Sequence, residues 1–253
     1  MVGGGIFTIL GISVSMVGDL APFAIAFGGV IAWFAAYSYV KLGVYYKDEG
    51  ATYAFFKRTY LSSPLASSFI GWYTIFGYIS TLALYAYTFS SYAISGFDFA
   101  QNDFIRKAVA LFIIGLFALI NIWSVKGMGK IEDIMVYLKL IILFVISVIL
   151  IFFAKADFHQ FINIMQSDLQ TTPLLSVLIV SSLTFVAYEG FQLVINAVNE
   201  MNDPDVNIPK TIYTAIILVA FIYFIVSLGS VLAIPSEDLI KNKESALATG
   251  VGE

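Results

Sequence analysis

Long apolar runs, each near or above the length that crosses a bilayer, alternate along this chain with short polar stretches. A spanning helix takes ~20 mainly apolar residues to cross ~30 Å of hydrocarbon. Segments 65–94, 108–125 and 211–235 carry no charged residue. Segments 134–154 and 173–198 carry one each, Lys139 and Glu189, and 23–46 carries only Lys41, close enough to its end to snorkel. Ahead of these, 1–18 is also uncharged, but Gly3, Gly4 and Gly5 stand in a row near its start and interrupt a regular helix. This first element reads as the second half of a broken helix. The expected fold is therefore all-α, a polytopic transmembrane helix bundle: a half-helix over about 1–18, then spans over about 21–46, 65–95, 107–125, 131–154, 173–198 and 208–234, in one transmembrane domain over 1–253.

The connections at 47–64, 96–107, 126–133, 155–172 and 199–210 are short and polar, and none has the size of a soluble domain. Alternate assignment to two sides puts Lys41, Lys47, Lys57, Arg58, Lys126, Lys130 and Lys210 on one side, and Arg106, Lys107, Lys155, Lys241 and Lys243 on the other. The small excess makes the first side cytoplasmic, so the first half-helix runs outward. The tail, 236–253, is polar and small-residue-rich, with no capping structure expected.

Composition agrees with a multi-pass integral protein of the cell membrane. Hydrophobic residues make up 60% of the chain and charged ones 12%, with a mean hydropathy of +0.90, whereas charge is about a quarter of an ordinary soluble domain. The formal net charge of −4 is spread without an acidic or basic block, which disfavours nucleic-acid partners and a polybasic membrane tail. With no cysteine, disulfides, thiolate catalysis and cysteine-ligated metals are excluded, and the single histidine, His159, cannot build a histidine metal cluster. No cofactor or metal is expected. Spans without paired carboxylates, cysteine or histidine offer no catalytic set, so the chain is not read as an enzyme. Met1 leads straight into apolar sequence without a basic n-region, and no cleavable signal peptide is expected.

Unwound backbone inside a membrane is tolerated only where it lines a cavity or is buried in protein, so glycine-rich breaks within spans are informative. The first break, at Gly3 to Gly5, frees amides at the start of a half-helix, a place that suits a carboxylate by hydrogen bonding and dipole. Close packing of helices through small residues would also explain it. The second, around Phe185, Val186, Ala187, Tyr188, Glu189 and Gly190, puts a charge and a glycine together at mid-depth. Its free carbonyls suit an ammonium; alternatively the helix is continuous and Glu189 pairs with Lys139. Lys139 itself either snorkels to the surface or lies buried, where it can lose and regain a proton during a cycle. Tyr85 and Tyr87, midway along an uncharged span, are candidates to line a cavity.

In combination these segments resemble the amino acid/polyamine/organocation permease superfamily. Gly3-Gly4-Gly5-Ile6-Phe7 looks like its G-[SAG]-G-I-F segment, Phe185-Val186-Ala187-Tyr188-Glu189-Gly190-Phe191 its F-x-[AS]-[YF]-x-G-[FW] segment, and Glu200 through Pro204 to Pro209 its E-x-x-[ND]-P-x-x-x-[IV]-P loop. The resemblance covers essentially the whole chain. It implies a LeuT-like, five-plus-five inverted-repeat fold, present here incompletely as helices 1b to 7, and a secondary transporter that moves amino acids by alternating access. By the same resemblance, amides of Gly3, Gly4 and Gly5 take the substrate carboxylate beside Ile6, and carbonyls near Val2, Phe185, Val186 and Ala187 take its amine. Tyr188, Glu189 and Gly190 shape the side-chain pocket. Lys139, in an L-x-K-L-x-I-L context, is similar to the helix-5 lysine of archaeal proton-coupled members, which stands where sodium-coupled relatives hold their ion. The partners so implied are an amino acid, protons and membrane lipid. Gln192 departs from the family, many of whose members carry glutamate there. The half of helix 1 that precedes the first glycine and the helices of the second repeat fall outside the sequence, so a piece of a longer permease is expected. A non-transporting membrane subunit or inactive fragment, or a transporter of another small solute such as a polyamine or nucleobase, is the alternative.

Overall fold

A computed structural model describes residues 2–3, 5–99, 102–123, 125–152 and 158–241. Helix α1 (Gly5–Val17) runs into a 3-10 turn (Gly18–Leu20) and the chain returns as α2 (Ala21–Tyr46). There follow α3 (Ala51–Thr59), α4 (Pro64–Ile94), α5 (Asp103–Trp123), α6 (Val125–Phe152), α7 (Phe158–Thr171) and α8 (Leu174–Tyr188). A 3-10 segment (Phe191–Glu200) leads to α9 (Pro204–Ala233) and a short α10 (Ser236–Lys241). Among the described residues no strand occurs. Among the described residues six continuous helical runs are long and apolar enough to cross a membrane, the first counted over α1, its 3-10 turn and α2. Proline at the first turn of α2, α4 and α9 sets the starting φ where no intrahelical donor is lost.

The packing centre is α2, which lies against α8 and α9. Its buried face is small: Gly28, Gly29, Ala32, Ala36, Val40 and Gly43. In lipid the solvent supplies little drive for helix association, so close approach through small residues has to supply it. A Cβ at Gly28 would run into the Thr184 hydroxyl, and one at Gly29 would stand 3.0 Å from the Ala220 Cβ and 3.1 Å from the Tyr188 hydroxyl. Helix α6 packs on α9, while α5 touches α4 and α6 and has no buried residue.

Charged groups gather at the two ends of the bundle. Lys47, just past α2, pairs with Asp205 at the start of α9 at 2.7 Å, and Arg58 of α3 pairs with Asp48. Those helix ends therefore share one face. At the other end the Asp19 amide donates to Asp168 Oδ2 of α7 at 2.9 Å, and the Ser236 hydroxyl donates to Asp19 Oδ1 at 3.5 Å. The first turn, α7 and α10 thus meet opposite α3.

Helices α3 and α7 lie in stretches, 47–64 and 155–172, that read as plain polar connections. In α7 the apolar positions Phe161, Ile162 and Met165 pack on the core at i, i+1 and i+4. That one-sided pattern is too short and too polar overall to register as a span. The tail likewise begins with α10, whose Leu239 is fully buried; residues 242–253 lie outside the described residues.

The tight α2 face gives a test. Overpacking of a filled interior costs ~1–3 kcal/mol, so Gly29→Leu is expected to lower the thermal unfolding midpoint in detergent by several degrees. Gly115→Leu, at an α5 position with nothing within 4 Å of the added Cβ, is expected to leave it in place.

Candidate functional site

The second sequence break interrupts helix, and the first lies ahead of the start of α1. Val2 and Gly3 precede α1 without helical structure, and the helix begins at Gly5; Gly4 lies outside the described residues. Helix α8 stops at Tyr188, Glu189 is extended (φ −57°, ψ 149°), and Gly190 turns the chain at φ 108°. That left-handed value is one glycine adopts without strain. The turn is held by its own groups: the Glu189 amide donates to the Val186 carbonyl at 3.2 Å, and the Gly190 amide to Gln192 Oε1 at 3.0 Å.

The two breaks meet. A Cβ on Gly5 would lie 2.8 Å from the Cα of Ala187, so the absence of a side chain there lets the start of α1 rest on the α8 backbone. Three other helices bring polar side chains to this junction. From α9, the fully buried Tyr223 donates its hydroxyl to the Ala187 carbonyl at 3.0 Å and also reaches the Gly3 backbone. From α4, the Tyr85 ring and hydroxyl lie 3.0 Å from where a Cβ on Gly3 would stand. From α6, Lys139 Nζ donates to the Val2 carbonyl. Lys139 therefore points inward and does not snorkel.

The remaining expected residues divide. Ile6 is fully buried beside the junction, and Phe185 is partly buried against the core. Tyr188 turns into the helix packing: its ring is 5.3 Å from that of Tyr223, and its hydroxyl donates to the Ile25 carbonyl of α2 at 2.9 Å. Val186 is exposed. Glu189 lines a cavity of ≈ 350 Å³ with Tyr39, Thr52, Thr74, Tyr78 and Gln192, to which Val2, Gly3 and Gly5 do not contribute. Among the described residues it forms no ion pair with Lys139, which is taken up by Val2. Tyr87 sits elsewhere, accepting from Arg106 at 2.7 Å.

Tyr223 is the site residue that sequence reasoning missed. Its signal was a phenol in the charge-free run 211–235, since a hydroxyl in hydrocarbon must find a partner. Chemically, the junction offers opposite polarities. The first amides of α1 lack intrahelical acceptors and carry the positive end of the helix dipole. A carbonyl oxygen has two lone pairs, so Val2 and Ala187 each keep an acceptor beyond Lys139 and Tyr223.

Comparison with known proteins agrees with this architecture. A family model described as "Amino acid permease" matches residues 1–252. The chain is 28% identical over 250 residues to an uncharacterized protein of Methanocaldococcus jannaschii, covering 98% of this chain and 55% of that protein. To the Escherichia coli inner membrane transport protein YbaT it is 29% identical over 98% of this chain and 56% of that one. To an aspartate-proton symporter of Bacillus subtilis it is 26% identical over 89% of this chain and 44% of the relative. The chain thus spans about half the length of the curated relatives it matches. Six candidate spans among the described residues, a helix start resting through a glycine on the end of α8, and a family match over nearly all of its length place this multi-pass integral membrane protein in the amino acid permease family.

Proposed function

We propose that this chain supplies the substrate-bearing half of a secondary transporter that takes up amino acids by alternating access, driven by protons. The observation that carries the proposal is the meeting of the two breaks at Gly5 and Ala187 with Lys139 bonded to the Val2 carbonyl. The amides of Gly3, Gly5 and Ile6, with Gly4 between them, would bind the substrate carboxylate at the start of α1. The free lone pairs of Val2 and Ala187 would bind its amine. The aspartate-proton symporter among the relatives supports both an amino acid substrate and proton drive.

The coupling runs through the Val2 carbonyl, to which only the protonated Lys139 is a charged donor. With its proton on, Lys139 fixes that carbonyl at the start of α1 while the second lone pair takes the substrate amine, so proton and substrate bind together. Loss of the proton on the inner side weakens the tie and lets both leave. Tyr223, by holding the Ala187 carbonyl and reaching Gly3, keeps α1 and α8 in register through this cycle.

Because the relatives are about twice as long, uptake is measured in proteoliposomes on a polypeptide carried to their length. With Lys139→Ala, stimulation of radiolabelled amino acid uptake by an imposed proton gradient is expected to disappear; a preserved stimulation sinks the coupling role. Gly5→Val forces α1 off Ala187 and is expected to reduce uptake at least about tenfold, the equivalent of ~1.4 kcal/mol, with protein abundance held equal on immunoblots. Unchanged uptake would remove the junction from the transport path. Tyr223→Phe leaves the Ala187 carbonyl without its donor in an apolar setting, an expected loss of ~1–3 kcal/mol of stability, read as a lower melting midpoint in detergent.

A further inference from the structure

The Glu189 cavity lies apart from the junction and has a chemistry of its own. It is formed between α2, α3, α4 and the turn after α8, and its ≈ 350 Å³ falls at the small end of ligand pockets, ~300–1,000 Å³. Among the described residues the Glu189 carboxylate has neither an ion pair nor a hydrogen bond. An uncompensated carboxylate at the depth of a membrane span is costly and calls for a partner. Acceptor oxygens stand beside it. Thr74 spends its proton on the Ile70 carbonyl at 2.9 Å, which leaves its oxygen lone pairs to the cavity. Tyr39 and Thr52 share one hydrogen bond at 3.2 Å. The rings of Tyr39 and Tyr78 add faces that attract a cation. Tyr85, whose ring lies against Gly3, also interacts electrostatically with Glu189, so one side chain stands between the junction and this cavity.

We propose that the Glu189 cavity binds the positively charged end of the substrate's side chain, which makes the preferred substrate a basic amino acid with an ammonium or guanidinium tip. The proposal rests on the permease reading, since the junction would hold the α-amino and α-carboxyl groups while the tip passes Tyr85 to reach Glu189. Lysine and arginine carry such a tip on a long side chain; alanine has none.

The test is equilibrium binding of radiolabelled arginine to the purified protein in detergent, with citrulline, alanine and putrescine as competitors. Citrulline has the shape of arginine without its charge. Arginine is expected to bind at least about tenfold more tightly than citrulline, the effect of one charge-assisted contact. Glu189→Gln is expected to bring that ratio to about one, and Glu189→Asp, which keeps the charge at shorter reach, to restore part of it. Each variant is checked for a single symmetric gel-filtration peak, so that misfolding is not mistaken for lost recognition. Equal binding of arginine and citrulline by the unaltered protein, or a ratio that survives Glu189→Gln, overturns the proposal. Saturable alanine binding with no arginine preference overturns it while leaving the permease reading intact; binding of none of the four overturns both. Putrescine competing as well as arginine, with alanine inert, overturns the amino acid assignment and identifies a polyamine site.

Discussion

Everything in this structure depends on how the free backbone groups at the start of α1 and at the break after α8 are satisfied. In hydrocarbon an unpaired carbonyl or amide costs several kcal/mol, so unwound segments persist only where neighbouring helices bring partners. Here the partners are side chains at fixed places: Lys139 of α6 on the Val2 carbonyl, Tyr223 of α9 on the Ala187 carbonyl, and Gln192 on the Gly190 amide. The packing follows from these ties. For Tyr223 to reach Ala187, α9 must run alongside α8 and α2, and the small face of α2 permits that approach. For Gly5 to lie on Ala187, α1 must begin where α8 ends.

The breaks were legible because glycine interrupts long apolar runs, and because a charge inside a span marks a polar interior. Gly3 and Gly5 show where α1 starts, and Glu189 and Gly190 where α8 stops. Lys139 as an inward group was one of two open readings; sequence could not choose, since a lysine five residues into its span reaches either the surface or the interior. Tyr223 was hidden for a different reason. Tyrosine is common in this chain, which has 15, and nothing in the periodicity of α9 distinguishes the one whose hydroxyl meets a broken helix. Helices α3 and α7 were missed because their apolar faces are a few residues wide and their polar residues resemble those of loops.

Glu189 illustrates where one-dimensional reasoning fails. In a continuous helix it would follow Tyr188 by about 100° around the axis, and both would be assigned to one pocket or its flank. The extended conformation of Glu189 and the left-handed Gly190 cancel that relation. Tyr188 goes into the α2 interface, where its hydroxyl meets the Ile25 carbonyl, and Glu189 goes to a separate cavity. The motif identifies the break, while the backbone angles within it decide which side chain belongs to which space.

The junction contains two kinds of contact that respond differently to perturbation. The approach of Gly5 to Ala187 is backbone on backbone, and no rotamer change can relax or replace it. Lys139 and Tyr223, in contrast, hold their carbonyls by the tips of side chains, which can leave if another donor takes their place. A solute with an ammonium group is a further donor, and it can join or leave these carbonyls without moving the helices that define the site. Binding and release of a zwitterion at mid-membrane needs that division between a fixed frame and replaceable partners. A structural subunit would need only the frame. The placement of a titratable amine, in preference to a serine or threonine, on the Val2 carbonyl therefore weighs toward transport: a hydroxyl would satisfy the backbone at lower desolvation cost but could not change its charge.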